Sequence, residues 1–589
     1  MHPDERTVDT TRPLRSRRTQ PALPGVTQPT LPIAPPATPR FSVPQGRKTR
    51  GWRTALQLCI LGLFLEALLL ALYPLLAALT SADSGGQQVQ RALPGLFPWL
   101  PSLYWTNVFP PLPRLLTHVP FLNILDGTTG TNALLSSLLL VLASAIALFA
   151  SRVGGRVAQN RLSRFDNAFL FWLVLLLTVV FGATMLLAPV GLTVFSQDMF
   201  TYGVYGHMVA FQHANPYGVT PSAHSLLQPL VGVKTTTPYG PVWTDISVLL
   251  ALVAQNSVAN TLLTFRGLGL LAHVVNVALL WTILTRVKPE ARLAMTLLYA
   301  WNPLILLFGV AEMHQEIVLL CVVLAALLFF QRSSPTIGWI CILLVALMNL
   351  LWLPLLPLFF RLMLRQSRVL RMGHRLLWWG GMLLISLVVL VLAYAPYWHA
   401  IGFTGVVAQL HRAFLQDTAV NSLDAALLNL PVRSAWLINS QHWSLVALGI
   451  VGLFLLFGLW LADSIELVAL FCCWLLLLYA VLLPVYWPWY LVAPFALALC
   501  STNRRSIVLL LLLLAASLLS YYLLLNALWV GQALATIGLP VLIWGWVLFF
   551  SSTWQMTHVP EGEVVAAETK GRPSRPSFLS RPSRPGRRY

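Results

Sequence analysis

The sequence predicts an all-α membrane protein, a polytopic bundle of about fourteen transmembrane helices with long loops and interfacial helices on one side. Three observations carry this. Of the 589 residues, 57% are hydrophobic and only 10% charged, with a mean hydropathy of +0.74, too little polar material to clothe a soluble protein of this size. Apolar runs of about 18 residues or more recur along the chain, the length at which a helix crosses a hydrocarbon core. Those runs are continuous, whereas barrel strands alternate.

In order, spans are expected at residues 55–79, 133–150, 168–190, 262–285, 292–309, 314–331, 336–350, 351–364, 376–396, 444–462, 465–483, 487–501, 506–525 and 529–551. The first reads as an anchor, because no small-residue cleavage site follows it. The pair at 336–364 is broken by Asn349, Pro354 and Pro357 and reads either as one long helix or as two short ones that dip in and return. Pro241 to Asn256 is too short to span and reads as an interfacial or re-entrant helix.

Three regions follow: a basic Pro-rich tail at 1–54, the membrane domain at 55–552, and a second basic tail at 553–589 that repeats Arg-Pro-Ser. Both tails are expected to be disordered and cytoplasmic, where membrane lipids of an anionic inner leaflet attract them. The formal net charge of +19 sits largely there and in short loops. No folded basic surface with interleaved aromatics accompanies it, so nucleic acid is not an expected partner. The six cysteines lie in or beside apolar runs and read as small hydrophobes.

Arginine-rich short loops (Arg152 to Arg164, Arg286 to Arg292, Arg361 to Arg375, and Arg504 with Arg505) are expected on the cytoplasmic side by the positive-inside rule. Both termini then fall inside. Segments 80–132, 191–261 and 397–443, poor in Lys and Arg and rich in aromatics, fall outside with the turns near Glu312 and Tyr486. Function is therefore sought on the outer face.

The stretch "SQDMFTYGVYGHMVAFQHANPYG", 196–218, brings a carboxylate to the end of an apolar run. Asp198, Tyr202 and Tyr205 share one face of a helix by their i, i+4, i+7 spacing. A carboxylate beside hydrocarbon is a functional candidate, yet Asp also caps helices well, and composition does not separate the two. In "KTTTPYGPVW", 234–243, Lys234 and a rigid Thr-Pro-Gly turn can meet a phosphate or form an ordinary interfacial loop. The turn in "AWNPLILLFGVAEMHQE", 300–316, groups Glu312, His314 and Glu316. These can ligate a divalent cation, grip sugar hydroxyls, or serve as a polar turn. The aromatic run "LPVYWPWYL", 483–491, suits either an interfacial belt or carbohydrate stacking.

Taken together and in this order, "SQDMFTYGVYGHMVAFQHANPY", "YGPVW" and "AWNPL…EMHQE" resemble the polyprenol-phosphate-mannose-dependent α-1,6-mannosyltransferases of the actinobacterial lipoglycan type, within the integral-membrane GT-C glycosyltransferase superfamily. The match falls on Ser196, Asp198, Tyr202, Tyr205, Asn215, Pro216, Tyr217, Tyr239, Gly240, Pro241, Trp301, Asn302, Pro303 and His314. Gln315 and Glu316 stand where such proteins usually carry Asn and Asp. The resemblance implies a GT-C-like bundle and an inverting hexosyltransferase. Its sugar, expected to be mannose, would pass from a polyprenyl-phosphate donor to a glycan, lipid or protein acceptor on the outer face of the cell membrane.

It further implies Asp198 as catalytic base. Tyr202, Tyr205, His207, Asn215, Tyr217, Lys234, Tyr239, Arg266, Asn302, Glu312, His314 and Glu316 would bind substrates, Lys234, Arg266, His207 and the Tyr239 loop steadying the departing phosphate. The metal requirement stays open, with a divalent cation as an option. The alternative is a secondary transporter or flippase of lipid-linked sugars. That class favours charges midway through its spans and related halves, whereas here Glu66 is the main mid-span charge and no repeat is visible.

Overall fold

The computed structural model describes residues 50–80, 92–100, 127–158, 164–189, 196–221, 227, 231–368, 371–415, 422–428, 440–519 and 529–557. Nearly all of both expected tails, and most of segment 80–132, lie outside them. What is described is helix and turn. The chain runs through α1 (Arg50–Thr80), α2 (Gly127–Ala158), α3 (Arg164–Leu187), α4 (Asp198–Gln212), α5 (Pro241–Ala254) and α6 (Val258–Val287). Next come α7 (Arg292–Ala300), the short α8 (Pro303–Ile305) with a π-turn at Leu306–Ala311, α9 (Glu316–Gln331) and α10 (Pro335–Met348). After them lie α11 (Leu356–Ser367), α12 (Met372–Tyr394), α13 (Trp398–Phe414), α14 (Leu423–Leu428), α15 (Ser440–Leu461) and α16 (Ile465–Leu482). The last are α17 (Val492–Ser501), α18 (Arg504–Leu519), α19 (Trp529–Ala533) and α20 (Leu539–Thr557).

Each expected span finds a helix, but the lengths correct the count. Among the described residues seven helices are long and apolar enough to cross a membrane, or eight if the bent pair at 292–311 is one span. Several of the others are apolar helices of only 10–17 residues, so fourteen full crossings are not established. The chain breaks helices where its caps dictate. Asn349 accepts a hydrogen bond from Leu351 N–H at 3.0 Å and starts a 3₁₀ turn at Leu350–Leu355, which resolves 336–364 into two short helices. Segment 397–443, expected to be loop, begins as helix. Helix α13 continues α12 after a turn at Ala395–Tyr397 and bends at Gly402, whose φ of 53° suits a residue without a Cβ.

Helix α6 is the centre of the packing, with α3, α5, α7, α9, α17 and the π-turn around it. Its polar side chains bond to the backbone of neighbouring helices: Asn276 donates to Ile317 O at 2.9 Å in the first turn of α9, and His273 Nε2 lies 3.1 Å from Ala300 O at the end of α7. Gly269 lets this helix approach the π-turn, because a Cβ there would fall 2.4 Å from Gly309 O. Helices α4 and α5 pack equally tightly at Gly206, where a Cβ would fall 2.2 Å from Ser247 O.

Intrinsic propensity favours Ala over Gly inside a helix by about 1 kcal/mol, so Gly206→Ala tests this contact by its sign. We expect overpacking to win and to cost about 1–3 kcal/mol, seen as a lower melting temperature of detergent-purified protein. An unchanged or raised melting temperature would show that the two helices can part.

Candidate active site

Asp198 is the first residue of α4, and the cap position before it is Gln197. Asp198 N–H donates to Ser196 Oγ at 3.0 Å, while its Oδ2 lies 3.2 Å from His314 Nδ1. The carboxylate therefore does not cap the helix; it faces the turn between the π-turn and α9. Its side chain keeps 37% exposure, against 1% for His314. On the other side of the imidazole, Nε2 lies 3.6 Å from Glu312 Oε2. Asp198 and two residues of a turn more than a hundred positions away thus form a carboxylate–imidazole–carboxylate line.

The local backbone makes this line. Asn302 accepts a hydrogen bond from Leu304 N–H at 3.0 Å and Pro303 occupies the first helical position, so Trp-Asn-Pro ends α7 and restarts the chain. The restarted helix widens into the π-turn, a form often found at functional sites. It is closed by Glu312 N–H donating to Leu307 O at 2.9 Å and His314 N–H to Phe308 O at 3.0 Å. Met313 between them has φ of 51°, a left-handed conformation that a side chain tolerates at a cost of about 1–2 kcal/mol.

Electrostatics follow from burial. Burial pushes the Glu312 carboxyl up to about 7, against the pull of His314 and Arg266. Burial would lower the His314 imidazole, but the adjacent Asp198 and Glu312 outweigh it and raise it to about 9. His314 stacks on Trp489 with centroids 3.8 Å apart, and Trp489 on Trp487 at 4.9 Å, an arrangement that suits a cation on an indole face. Among the described residues, both ring nitrogens and both Glu312 oxygens are buried without a hydrogen bond of good geometry, as are Gln315 Oε1 and Glu316 Oε2.

The expected tyrosines brace this centre. Tyr202 and Tyr205 project from α4 toward Tyr239, with ring centroids 4.9 and 6.3 Å away, and Gln315 N–H donates to Tyr202 Oη at 3.4 Å. Tyr217 Oη donates to Tyr239 O at 3.0 Å. Asn215 accepts from Tyr217 N–H and donates to Tyr397 O, so Asn-Pro-Tyr holds the Tyr-Gly-Pro loop. Gly240 is needed there, since a Cβ would fall 2.0 Å from Leu347 O.

Other expected residues fall elsewhere or take structural parts. Buried Asn302 is the cap just described. Buried Arg266 donates to Leu186 O and Ala188 O at 2.9 Å, closing the end of α3, while its charge also reaches Glu312. His207 pairs with Asn256 Oδ1 at 2.7 Å, apart from the acid–imidazole line. Lys234 is exposed on the loop before Tyr239. Arg412, not anticipated, donates to Thr236 Oγ1 at 2.8 Å on the same loop; an arginine in an otherwise cation-poor outer segment was the available signal. Trp489 was visible only as part of an aromatic run.

The divalent-cation option does not fit this arrangement. Each His314 nitrogen faces a carboxylate instead of sharing a point with one, and among the described residues no three His, Cys, Asp or Glu side chains converge on a common position.

Fold and site together define a helical membrane protein with an acid–imidazole centre at one helix N-terminus. Residues 105–366 match the family model described as Alpha-(1->6)-mannopyranosyltransferase, N-terminal domain. A curated relative, Alpha-(1->6)-mannopyranosyltransferase B of Corynebacterium glutamicum, is 28% identical over 198 residues, covering 32% of this chain and 30% of that protein. The matched stretch is thus under a third of that relative's length. The family match contains Asp198, the Tyr-Gly-Pro loop and the 312–316 turn, and it supports the resemblance to GT-C mannosyltransferases.

The raised His314 value has a pH signature. Its ion pairs contribute stability fully below the ordinary imidazole value of about 6.5 and lose it as pH rises through about 9. Glu312, raised to about 7, costs stability between its unfolded value of about 4.3 and 7 and nothing further above that. We expect the melting temperature to fall from pH 7.5 to 10 more steeply in wild type than in His314→Asn. Parallel curves would mean that His314 is not charged at neutral pH.

Proposed function

We propose that this protein is a membrane mannosyltransferase that moves a mannosyl unit from a polyprenyl-phosphate donor to an acceptor hydroxyl of a glycan, lipid or protein at the outer membrane face, with inversion. The observation that carries it is Asp198. This half-exposed carboxylate is fixed by a buried imidazole inside the stretch that matches a mannosyltransferase family.

In this reading His314 holds Asp198 Oδ2 and leaves the other oxygen to the acceptor. Asp198 takes the hydroxyl proton, the oxygen lone pair attacks the anomeric carbon, and the bond from that carbon to the lipid phosphate breaks with its electrons on the phosphate. A phosphate monoester leaves without prior protonation, so cations suffice to steady it. Lys234 immediately precedes the Thr235–Tyr239 loop and Arg412 reaches it from α13, and Tyr205 touches the same loop through its hydroxyl on Thr235 O at 2.9 Å. Seven residues of helix put Tyr205 about 10 Å along the axis from Asp198, a span that a hexose and its phosphate can bridge.

Asp198→Asn removes the base and keeps the shape. A positioned base contributes about 10²–10⁴-fold, so purified variant of normal size-exclusion profile should lose at least about a hundredfold in transfer from polyprenyl phosphate mannose. Wild-type turnover would sink the assignment and move the search to Glu312 and Glu316.

The outer-face reading, with both termini cytoplasmic, rests on the arginine asymmetry. Val219 is 54% exposed in the segment after α4. Val219→Cys in a cysteine-free background should react with an impermeant thiol reagent added to intact cells. Labelling only after the membrane is opened would reverse the topology and the mechanism with it.

A further inference from the structure

Beside the acid–imidazole line, and not part of it, lies a small cavity lined by Glu316, Asn349, Leu351, Trp352, Tyr479 and Tyr490. Its inner volume is about 30 Å³, within about 390 Å³ of empty space that includes its mouth. About 10–15 Å³ is enough for one water, so the inner end takes a hydroxyl-sized group and not a ring. Two of its lining residues carry a buried polar atom, Glu316 Oε2 and Tyr479 Oη, that has no hydrogen-bond partner among the described residues, and each residue is only 6% exposed. Native interiors rarely leave such atoms unsatisfied away from functional sites.

The chemistry of the wall selects the ligand. Glu316 is an acceptor when ionised. Asn349 spends its carbonyl on Leu351 N–H and so offers its amide as a donor. Tyr479 can do either. An anion would meet the Glu316 carboxyl, and a cation would meet the Asn349 amide donors. A neutral hydroxyl both donates and accepts and matches all three. Trp352 and Tyr490 supply flat apolar walls of the kind that the C–H faces of a sugar ring contact. Glu316 is two residues from His314, and Tyr490 adjoins Trp489, on which His314 stacks. The Asp198 charge bears on both Glu316 and Tyr490, so a ring held at this cavity would lie in the neighbourhood of Asp198.

We propose that the cavity reads one hydroxyl of a hexopyranosyl unit and thereby sets sugar specificity, an inference that rests on the glycosyl-transfer reading for the identity of the sugar. Tyr479, Asn349 and Trp352 are its unassigned members. The unit is either the donor's mannose or the acceptor's terminal sugar, and the two differ in which substrate carries the critical hydroxyl.

The test compares polyprenyl phosphate mannose and a mannoside acceptor with their monodeoxy analogues. A site built to bond a substrate hydroxyl rejects the analogue lacking it strongly, by about 10⁴–10⁵ in favourable cases. We expect one monodeoxy analogue, in the donor or the acceptor series, to be used at least about a hundredfold less well by wild type, and Tyr479→Phe to shrink that gap below about tenfold by slowing the parent sugar. If Tyr479→Phe does not fold, Glu316→Gln carries the same comparison. A gap of wild-type size in the variants, or wild type that uses every monodeoxy analogue nearly as well as its parent, would overturn the proposal. Should wild type transfer no mannose at all, the functional reading fails. Saturation-transfer NMR with methyl mannoside and its monodeoxy forms then decides the cavity alone: binding of one deoxy form must vanish in wild type, and equal binding of all forms refutes it.

Discussion

An imidazole held between two carboxylates, inside a largely apolar bundle, is the constraint on which the rest of this structure depends. In water such pairs contribute little, but away from water each charge must have its partner near or it neutralises. His314 is 1% exposed and has Asp198 on one side and Glu312 on the other. The unusual backbone nearby serves that geometry. A regular helix through 303–316 would put Glu312 and His314 on different faces, because neighbours two apart do not meet. The π-turn and the left-handed Met313 bring Glu312 back against the imidazole, and the indole of Trp489 covers the ring.

The same economy explains why polar side chains elsewhere bond to backbone. Each helix break in a water-poor interior frees carbonyls and amides that need partners. Arg266 takes the carbonyls at the end of α3, His273 lies against that of Ala300 at the end of α7, and Tyr217 takes that of Tyr239 in the loop before α5. Several of the breaks so repaired lie around the 312–316 turn or the Tyr-Gly-Pro loop. The glycines at 206, 240 and 269 contribute by absence, since at each a methyl group would strike a carbonyl oxygen. Rigid surroundings of this sort hold a site in place better than loops alone.

What was legible in the sequence follows from this. Helix positions were, because an apolar run reports burial along one chain without reference to any other. Asn302-Pro303 announces a cap and a first turn, and Asp198 with Tyr202 and Tyr205 reads as one helical face. Helix lengths were less so: the bend at Gly402 and the brief helices around Asn349 depend on what packs beside them. Pairings across long separations were not legible at all. Nothing local says that Trp489 lies on His314, that Arg412 reaches Thr236, or that Tyr479 shares a cavity with Glu316. Nor could type alone tell that Asn302 and Arg266 bond backbone, because a buried cap and a ligand-binding amide are the same residue.

The distribution of unsatisfied atoms gives the arrangement its direction. A buried polar group without a partner costs about 1–3 kcal/mol, and a chain has no reason to gather several in one place unless something offsets the cost. Among the described residues Gln315 and Glu316 supply such atoms from a single turn, and Tyr479 supplies another beside the cavity that it lines with Glu316. Asp198, the one member of the cluster that reaches solvent, stands at its edge. On the proposed reading, a neutral polyol entering past Asp198 would give these atoms their partners. In that proposal the reacting hydroxyl is left at the half-exposed carboxylate, where a base can pass the proton on to water.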